Sequence, residues 1–587
     1  LRLFARLIFR RLFSSLRGEE LLPLDGDITL PERGWYLVSF QANVDPISAR
    51  NILVLSENPF VSCLFFHNGI TDFFAFFESP ATLTTELATL IFAQKVTALD
   101  ARIKLILSGR RVIENSRYQN FSTGDGANNF RDSKMIGCLN VSSAQTYYEV
   151  LRKLEKTQLD FIFISDGSIM MSKNSEAHLS EFLDNYDVVS FDYHQEVKAV
   201  GLLRGQYTPE LNLPYLLCYD YINGCYVVRR EVLIKALNAL PSDDEYHQHQ
   251  LILAIVCESS IRSKRVAIPL ATCLAGDCQI LDAKKVDYWA KKTYSYAEIL
   301  PKTNEVFRLS LAAPEGSRVS VIIPAKDQLA YTQRCIESIL EKTHDIEYEI
   351  LLVNNNSVEQ ATLEWFASIS DHSRVSVIDY PYPFNFSAIN NFAVTQAKYE
   401  YLAFLNNDTE VITEDWLQAL VGWASMDGIG AVGCKLHYED GRIQHAGVVI
   451  GIQNAAAHVH RFYQPDDSGY MNRLDCPQHY SAVAAAALVI KKDIFNKAGG
   501  FDEEKYKVAY NDVDFCLKCQ SMGLKNVWVA DVSLYHYESV SRDDDLSFKR
   551  FFSYSKELNT LRNDWGVPHY DDPWYNPNLT RVDEYFH

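Results

Sequence analysis

The sequence predicts an α/β fold, a doubly wound and mostly parallel sheet that occurs twice, and three observations carry that prediction. Strand-like apolar runs alternate with helix-like segments through the second half. In order they are VSVIIPAKD (Val319–Asp327), a helix over Tyr331–Lys342, YEILLVNNNS (Tyr348–Ser357), VSVIDY, a helix around Ala388–Ala397, and YLAFL (Tyr401–Leu405). Such alternation implies strands joined by crossover helices. Apolar runs such as Tyr401–Leu405 then break into polar residues, here Asn406, Asn407 and Asp408, at the strand end where open α/β sheets bind ligands. Finally, segments of the first half return in the second in the same order, the signature of a repeat. FIFISDGSIMM (Phe161–Met171) parallels YLAFLNNDTEVI, YVVRREVL (Tyr226–Leu233) parallels LVIKKDIF (Leu488–Phe495), and HQHQLIL (His247–Leu253) parallels NDVDFCL (Asn511–Leu517).

The elements follow from the N-terminus. Residues 1–18 read as a basic amphipathic helix, with Arg2, Arg6 and Arg10 at i, i+4, i+8 opposite Leu3, Phe4, Leu7 and Ile8. Such a helix suits an anionic membrane surface, and its arginines interrupt the apolar run too often for a secretory leader. No apolar run reaches the roughly 18 residues of a membrane-spanning helix. Residues 19–110 hold short β-like runs (WYLVSF, NILVLS, VSCLFFH, ARIKLIL) between turn signals, a small β-rich domain expected to form a sandwich. Residues 111–300 form the first α/β copy, 301–316 a Pro/Gly linker, 317–545 the second copy and 546–587 a tail.

Composition narrows the function classes. The 587 residues carry a net charge of −19, which argues against nucleic acid as the partner. Twelve cysteines lie without a framework; Cys516 and Cys519 are the one close pair, and with no second pair the pattern reads as reduced thiols in a cytoplasmic protein.

Asp408, flanked by amides at a strand end, suits a hard oxygen-bound cation such as Mg²⁺ or Mn²⁺ beside phosphates, and equally an Asx turn capping the strand. In the first copy Ser168 stands opposite Asp408, Asp166 opposite Asn406, and Gln248 and Gln250 opposite Asp512 and Asp514. Glutamine cannot act as a carboxylate base, so the first copy is expected to be degenerate and silent.

VSVIIPAKD, EILLVNNNS, FLNNDTEV and GGFDEEKYKVAYNDVDFCLKC together resemble the family 2 glycosyltransferases of GT-A fold, over about residues 317–541. The two-copy arrangement and the tail DPWYNPNL (Asp572–Leu579) resemble two-domain bacterial members that build surface polysaccharides such as O-antigen or rhamnan. The resemblance implies a nucleoside-diphosphate sugar donor held by Pro324, Ala325, Lys326 and Asp327 and by Asn354 and Asn355, where the family has an aspartate that reads the base. It implies that Asn406 and Asn407 line the donor, and that Asp408 and His536 hold the metal. Asp512 becomes the general base of an inverting transfer, and Gly500, Phe501, Asp502 and Asp514 face the acceptor, a glycan or lipid-linked glycan. His445, His458 and His460 lie in an insertion open to metal binding or to acceptor contact. The enzyme would sit in the cytoplasm, peripheral on the inner face of the cell membrane through residues 1–17.

Two other classes compete. A non-catalytic glycan-binding or assembly subunit would account for Asn354, Asn406 and Asn511. A nucleotidyltransferase would want a glycine-rich basic loop after the first strand, and PAKDQLAYTQR has no glycine.

Overall fold

The computed structural model of the chain describes residues 136–537 and 548–586, apart from 142–143, 173–174, 198–201, 243, 259, 275–281 and 583–585. Before residue 136 it describes the backbone of six strands. Four of these form an antiparallel sheet in the order Val61–His67, Asp72–Phe77, Gly34–Gln41, Asp100–Ile106, and Ile28–Leu30 pairs with Ala81–Leu83. The basic helix expected over 1–17 lies outside the described residues.

Two α/β sheets follow. The first contains β1 (Ile136–Asn140), β2 (Phe161–Ser165), β3 (Ile169–Met171), β4 (Val188–Val197), β5 (Leu202–Gln206), β6 (Tyr226–Arg229) and β7 (Ser263–Cys273). The second contains β8 (Arg318–Ala325), β9 (Glu347–Asn354), β10 (Val375–Asp379), β11 (Tyr401–Leu405), β12 (Thr409–Val411), β13 (Ile429–His437), β14 (Ile443–His445), β15 (Gln478–Tyr480), β16 (Ala487–Lys491) and β17 (Lys525–His536).

The first sheet runs β1-β2-β6-β4-β7-β3; the second runs β8-β11-β16-β13-β17-β12, extended beyond β8 by β9 and then β10. Each neighbouring pair in the first order has the same relative direction as its counterpart in the second.

Both sheets are mixed rather than mostly parallel. In the second, β16 runs against both β11 and β13. The reason is the connection. No α-helix lies between β13 and β16 to carry the chain back, only short strands and 3-10 turns, so the chain returns antiparallel. β11 is buried along its whole length, which is why it reads as a continuous apolar run rather than an alternating one.

The stretch expected as a linker is in part a folded hairpin, Ala297–Pro301 against Phe307–Leu311. Phe307, Leu309 and Leu311 alternate along its second strand and are buried in the main core. The tail joins the two α/β units. Asn576 Nδ2 donates to Asp192 Oδ1 (2.7 Å) and to the Thr208 carbonyl (2.9 Å), and Asn578 Nδ2 donates to Asp192 Oδ2 (3.1 Å). On the other side Asp572 Oδ2 accepts from the Ile450 amide at 2.8 Å. Among the described residues no helix is long and apolar enough to cross a membrane.

Candidate active site

The ends of β8 and β9 hold the residues expected at the donor. Ala325 lies in register with Asn354, and Asn354 with Asp379 at the end of β10. Lys326 is exposed. Asp327, in a left-handed backbone conformation (φ 51°), accepts from the amides of Val358 (2.7 Å) and Glu359 (2.9 Å), so its carboxylate ties the β8 loop to the loop after β9. Asn355 is buried and donates to the carbonyls of Tyr380 (3.0 Å) and Tyr382 (2.8 Å), which makes it a strut for the loop after β10. Asn354 stays half-buried at the strand end, with its amide on the Asp379 carboxylate at 2.8 Å.

The turn after β11 meets the end of β17, because Thr409 pairs with His536 across the β12–β17 ladder. That register brings Asp408 Oδ1 to 3.3 Å from His536 Nε2, while Asn406 Nδ2 lies 3.1 Å from the same nitrogen. Gln444 fixes the ring from behind: its Oε1 is 2.7 Å from His536 Nδ1 and its Nε2 donates to the His536 carbonyl at 3.1 Å. A Gln carbonyl on Nδ1 makes that nitrogen the protonated one and leaves the Nε2 lone pair facing Asp408. Two cis ligands about 2.1 Å from an octahedral ion stand about 3 Å apart, so the Asp408–His536 pair fits one edge of a divalent site. Among the described residues no cluster of three or more His, Cys, Asp or Glu could hold a metal. A cation shared with substrate phosphates needs only one or two protein ligands. Asn407 turns away, donating to Thr332 Oγ1 at 2.9 Å.

Asp512 opens the helix Asn511–Ser521. Its Oδ2 accepts from the Ala485 amide (3.1 Å) and its Oδ1 from the Val513 amide (2.8 Å). Burial raises the Asp512 carboxyl above the ordinary Asp value, against the pull of these backbone donors. One short segment joins both arms of the site. Ala484 donates its amide to His445 Nε2 (3.3 Å), Ala485 donates to Asp512, and the Ala486 carbonyl accepts from the Asn406 amide (3.1 Å). Asp512 and the Asn406–Asp408 turn thus hang from adjacent residues of one buried backbone. A chain of phenylalanine rings supports the same geometry: Phe404 on β11 contacts Phe501 (5.2 Å between centroids), which contacts Phe515 on the Asp512 helix (5.1 Å).

The residues expected on the acceptor side separate into different tasks. Phe501 is a core residue of that ring chain. Gly500 (φ 69°) brings the loop against Asn391, where a Cβ would sit 2.7 Å from Asn391 Oδ1; Asn391 in turn bonds both backbone groups of Phe501. Asp502 Oδ1 caps its own turn through the amides of Glu504 and Lys505. Asp514 is buried and held by Lys518 Nζ (2.8 Å) and Trp565 Nε1 (3.0 Å), so it anchors the C-terminal helix Phe548–Trp565. The histidine trio divides as well. His445 Nδ1 lies 2.8 Å from His458 Nδ1, whereas His460 stacks on Phe586. Cys516 and Cys519 are buried free thiols.

Gln444, Ala484–Ala486, Asn391 and Asp379 escaped the sequence reading. They act through backbone contacts or as props to another side chain, and neither role leaves a periodicity or a motif.

Residues 320–494 match the family model described as Glycosyl transferase family 2. The chain carries a family 2 glycosyltransferase domain. The matched segment includes β8 from Ser320 on, the Asn406–Asp408 turn and Ala484–Ala486, and stops short of Asp512 and His536. Over 262 residues the chain is 45% identical to the uncharacterized protein y4gI of Sinorhizobium fredii (strain NBRC 101917 / NGR234), covering 44% of this chain and 29% of that one. Over 390 residues it is 32% identical to the O-antigen biosynthesis protein RfbC of Myxococcus xanthus, covering 64% of this chain and 30% of that one. The chain thus spans under a third of either relative's length. Two solved structures align in part. GalNAc-T7 with UDP, GalNAc and Mn²⁺ gives a TM-score of 0.35 at 16% identity, over 45% of this chain and 50% of that one. The mannosyltransferase PcManGT of Pyrobaculum calidifontis with GDP-Man and Mn²⁺ gives 0.33 at 15%, over 46% and 70%.

Proposed function

We propose that the protein is an inverting glycosyltransferase that moves a sugar from a nucleoside-diphosphate donor to a growing surface polysaccharide carried on a lipid. The observation that carries this reading is the run Ala484–Ala486, which hydrogen-bonds the Asp512 carboxylate at one residue and the Asn406–Asp408 turn at the next. Asp512 is the general base. It accepts the proton of the acceptor hydroxyl as that oxygen attacks the anomeric carbon from the face opposite the diphosphate. Its raised pKa makes it a stronger base than an exposed aspartate, and the Ala485 amide holds its orientation. Asp408 and His536 hold Mg²⁺ or Mn²⁺, which when bound neutralises charge on the departing diphosphate. Pro324, Ala325, Lys326 and Asn354 line the nucleotide end, and Asn406 and Asn407 shape the turn beneath the donor. The acceptor enters past the Gly500–Asp502 loop.

The first α/β unit is a degenerate copy that performs no transfer. Residues 1–17 keep the enzyme on the anionic inner face of the membrane, near its acceptor, and vesicle pelleting of the full chain against a chain lacking residues 1–17 tests that location. For the reaction, nucleotide release would be followed across UDP-, GDP- and dTDP-sugars with Mn²⁺ and a polysaccharide acceptor. Metal-dependent release from at least one donor is expected, with inverted anomeric configuration in the product. No release from any donor, or retention of configuration, would reject the reading.

A further inference from the structure

We propose that Glu557, on the C-terminal helix Phe548–Trp565, is a positioning residue for Asp512. It holds the backbone of Val508 and Ala509 and so fixes where the base-bearing helix begins. This rests on the role proposed above for Asp512.

The turn that feeds that helix is strained. Asp512 stands two residues beyond Tyr510, whose carbonyl accepts from the Asp514 amide at 2.9 Å as the helix starts. Tyr510 has a left-handed backbone (φ 59°) that bulky side chains rarely adopt, and such a conformation persists only where the surroundings impose it. Asn511 Nδ2 closes the turn from within, donating to the Val508 carbonyl at 3.0 Å. Glu557 holds it from without. Its Oε2 accepts from the amides of Ala509 (2.6 Å) and Val508 (3.3 Å), the two residues before Tyr510.

Glu557 is itself buried, at 4% exposure. A carboxylate is costly to bury unless hydrogen bonds hold it, whereas an apolar residue at this place on the helix would pack without that cost. The rest of the helix face makes the same contact, since Glu557, Leu561, Asp564 and Trp565 follow at helical spacing. Leu561 is fully buried in one core with Tyr506 and Phe515. The Tyr506 hydroxyl donates to Asp564 Oδ2 (3.2 Å), and Trp565 Nε1 donates to Asp514 Oδ1 (3.0 Å). Asp512 is thus set from two sides, by the Ala485 amide at its carboxylate and by Glu557 through the turn before it. Displacing a reacting group by about 1 Å costs about 10²-fold in rate. The donor contacts proposed at β8 and β11 lie on other segments, so a loosened turn should slow transfer and leave nucleotide binding alone.

Two variants separate reach from charge. Glu557→Gln keeps the length and an oxygen acceptor, whereas Glu557→Asp keeps the charge and draws the oxygen back by one methylene. Turnover would be followed with Mn²⁺ on whichever of UDP-, GDP- and dTDP-sugars wild type uses, and affinity for the matching nucleoside diphosphate by calorimetry. Both are read well below each variant's unfolding midpoint. Glu557→Gln is expected to keep kcat within about three-fold of wild type, and Glu557→Asp to lose about ten-fold or more, with nucleotide affinity unchanged in both. Wild-type kcat in Glu557→Asp with only a lowered midpoint would make the contact one of stability alone and overturn the inference. A Glu557→Gln as impaired as Glu557→Asp, or nucleotide affinity that falls along with kcat, overturns it too, and each of these outcomes leaves Asp512 standing as the base. Wild type that turns over no donor removes the base and the inference with it.

Discussion

Two turns occupy the same place in two sheets of the same strand order, and they have been put to opposite uses. After β2, Asp166 spends its carboxylate on its own turn: Oδ1 accepts from the Ser168 amide (2.9 Å) and from Ser168 Oγ (2.5 Å). After β11, Asp408 reaches out of its turn to His536. The helices opposite differ in the same sense. Gln248, in the place of Asp512, accepts from the Tyr246 hydroxyl and fills the space over Gly224 so tightly that a Cβ there would lie 1.8 Å from its Nε2. Gln250, in the place of Asp514, accepts from Trp289 Nε1. Neutral amides can be buried with few partners where carboxylates cannot. Gln248 and Gln250 accordingly lie buried in the first unit, while the second sheet has acids at the matching places and a backbone donor to hold one of them. Strand order alone confers no chemistry; two or three side chains at the strand ends decide it.

The largest expected effect breaks the second crevice into a copy of the first. Asp512→Asn keeps the shape and removes the base, so transfer should fall about 10²–10⁴-fold with nucleotide affinity near normal. Single-turnover assays beside nucleotide calorimetry check it, and near-normal turnover rejects the assignment. The wild-type pH profile sharpens the same point. Only the ionised carboxylate accepts a proton, so activity is lost as pH falls through the raised pKa. The acid limb should therefore lie above the value of about 4 of an ordinary aspartate. An acid limb at or below 4 would contradict a buried base.

Gln444→Leu comes next. It leaves Asp408 and His536 in place and removes the carbonyl that fixes the His536 ring, a support of the kind whose loss costs about 10–100-fold in metal affinity. Mn²⁺ titration of activity should show that shift with kcat at saturating metal largely retained. A loss of kcat that added metal cannot restore would mean that Gln444 acts in some other way.

How much of this was legible beforehand follows from what each residue does. Asp408, Asp512 and His536 stand out through the order of the segments around them, since acids at strand and helix ends also cap turns and helices. Helix and strand positions in the second half followed from apolar period and turn residues. The direction of β16 did not, because sequence gives strands but not which connection crosses the sheet. Asp502, Asp514 and Asp327 also have structural tasks that the sequence does not show. Each is an acid in the right segment whose carboxylate is occupied by nearby amides, a lysine or a tryptophan, and only coordinates separate such a cap from a ligand contact. Gln444 and Ala485 were invisible because their role is to hold another side chain.

A smaller effect concerns what binds the first α/β unit to the second. Asn576→Ala removes one donor from Asp192, whose burial raises its pKa to about 6. Leaving that buried acceptor short should cost about 1–3 kcal/mol of stability. The sign with pH is definite. Asp192 is neutral in the fold below about 6 and charged above it, and the charged form needs the amide more, so the loss should be larger at pH 8 than at pH 5. Thermal unfolding at the two pH values measures it, and an equal loss at both would place the Asn576 contribution in its bond to the Thr208 carbonyl instead.

The smallest effect is the sharpest test of the comparison. Asp166→Ala alters the turn that stands where Asp408 stands in the other sheet. If the first crevice is closed core, its carboxylate touches no substrate and serves only Ser168. Turnover and Mn²⁺ dependence should then stay within about two-fold of wild type, and any change should appear as a small drop in melting temperature, since loss of a local turn bond is worth about 0.5–1.5 kcal/mol. A ten-fold loss of turnover in a protein of normal melting temperature would show that the first unit takes part in the reaction, and the division into an active sheet and a supporting one would fail.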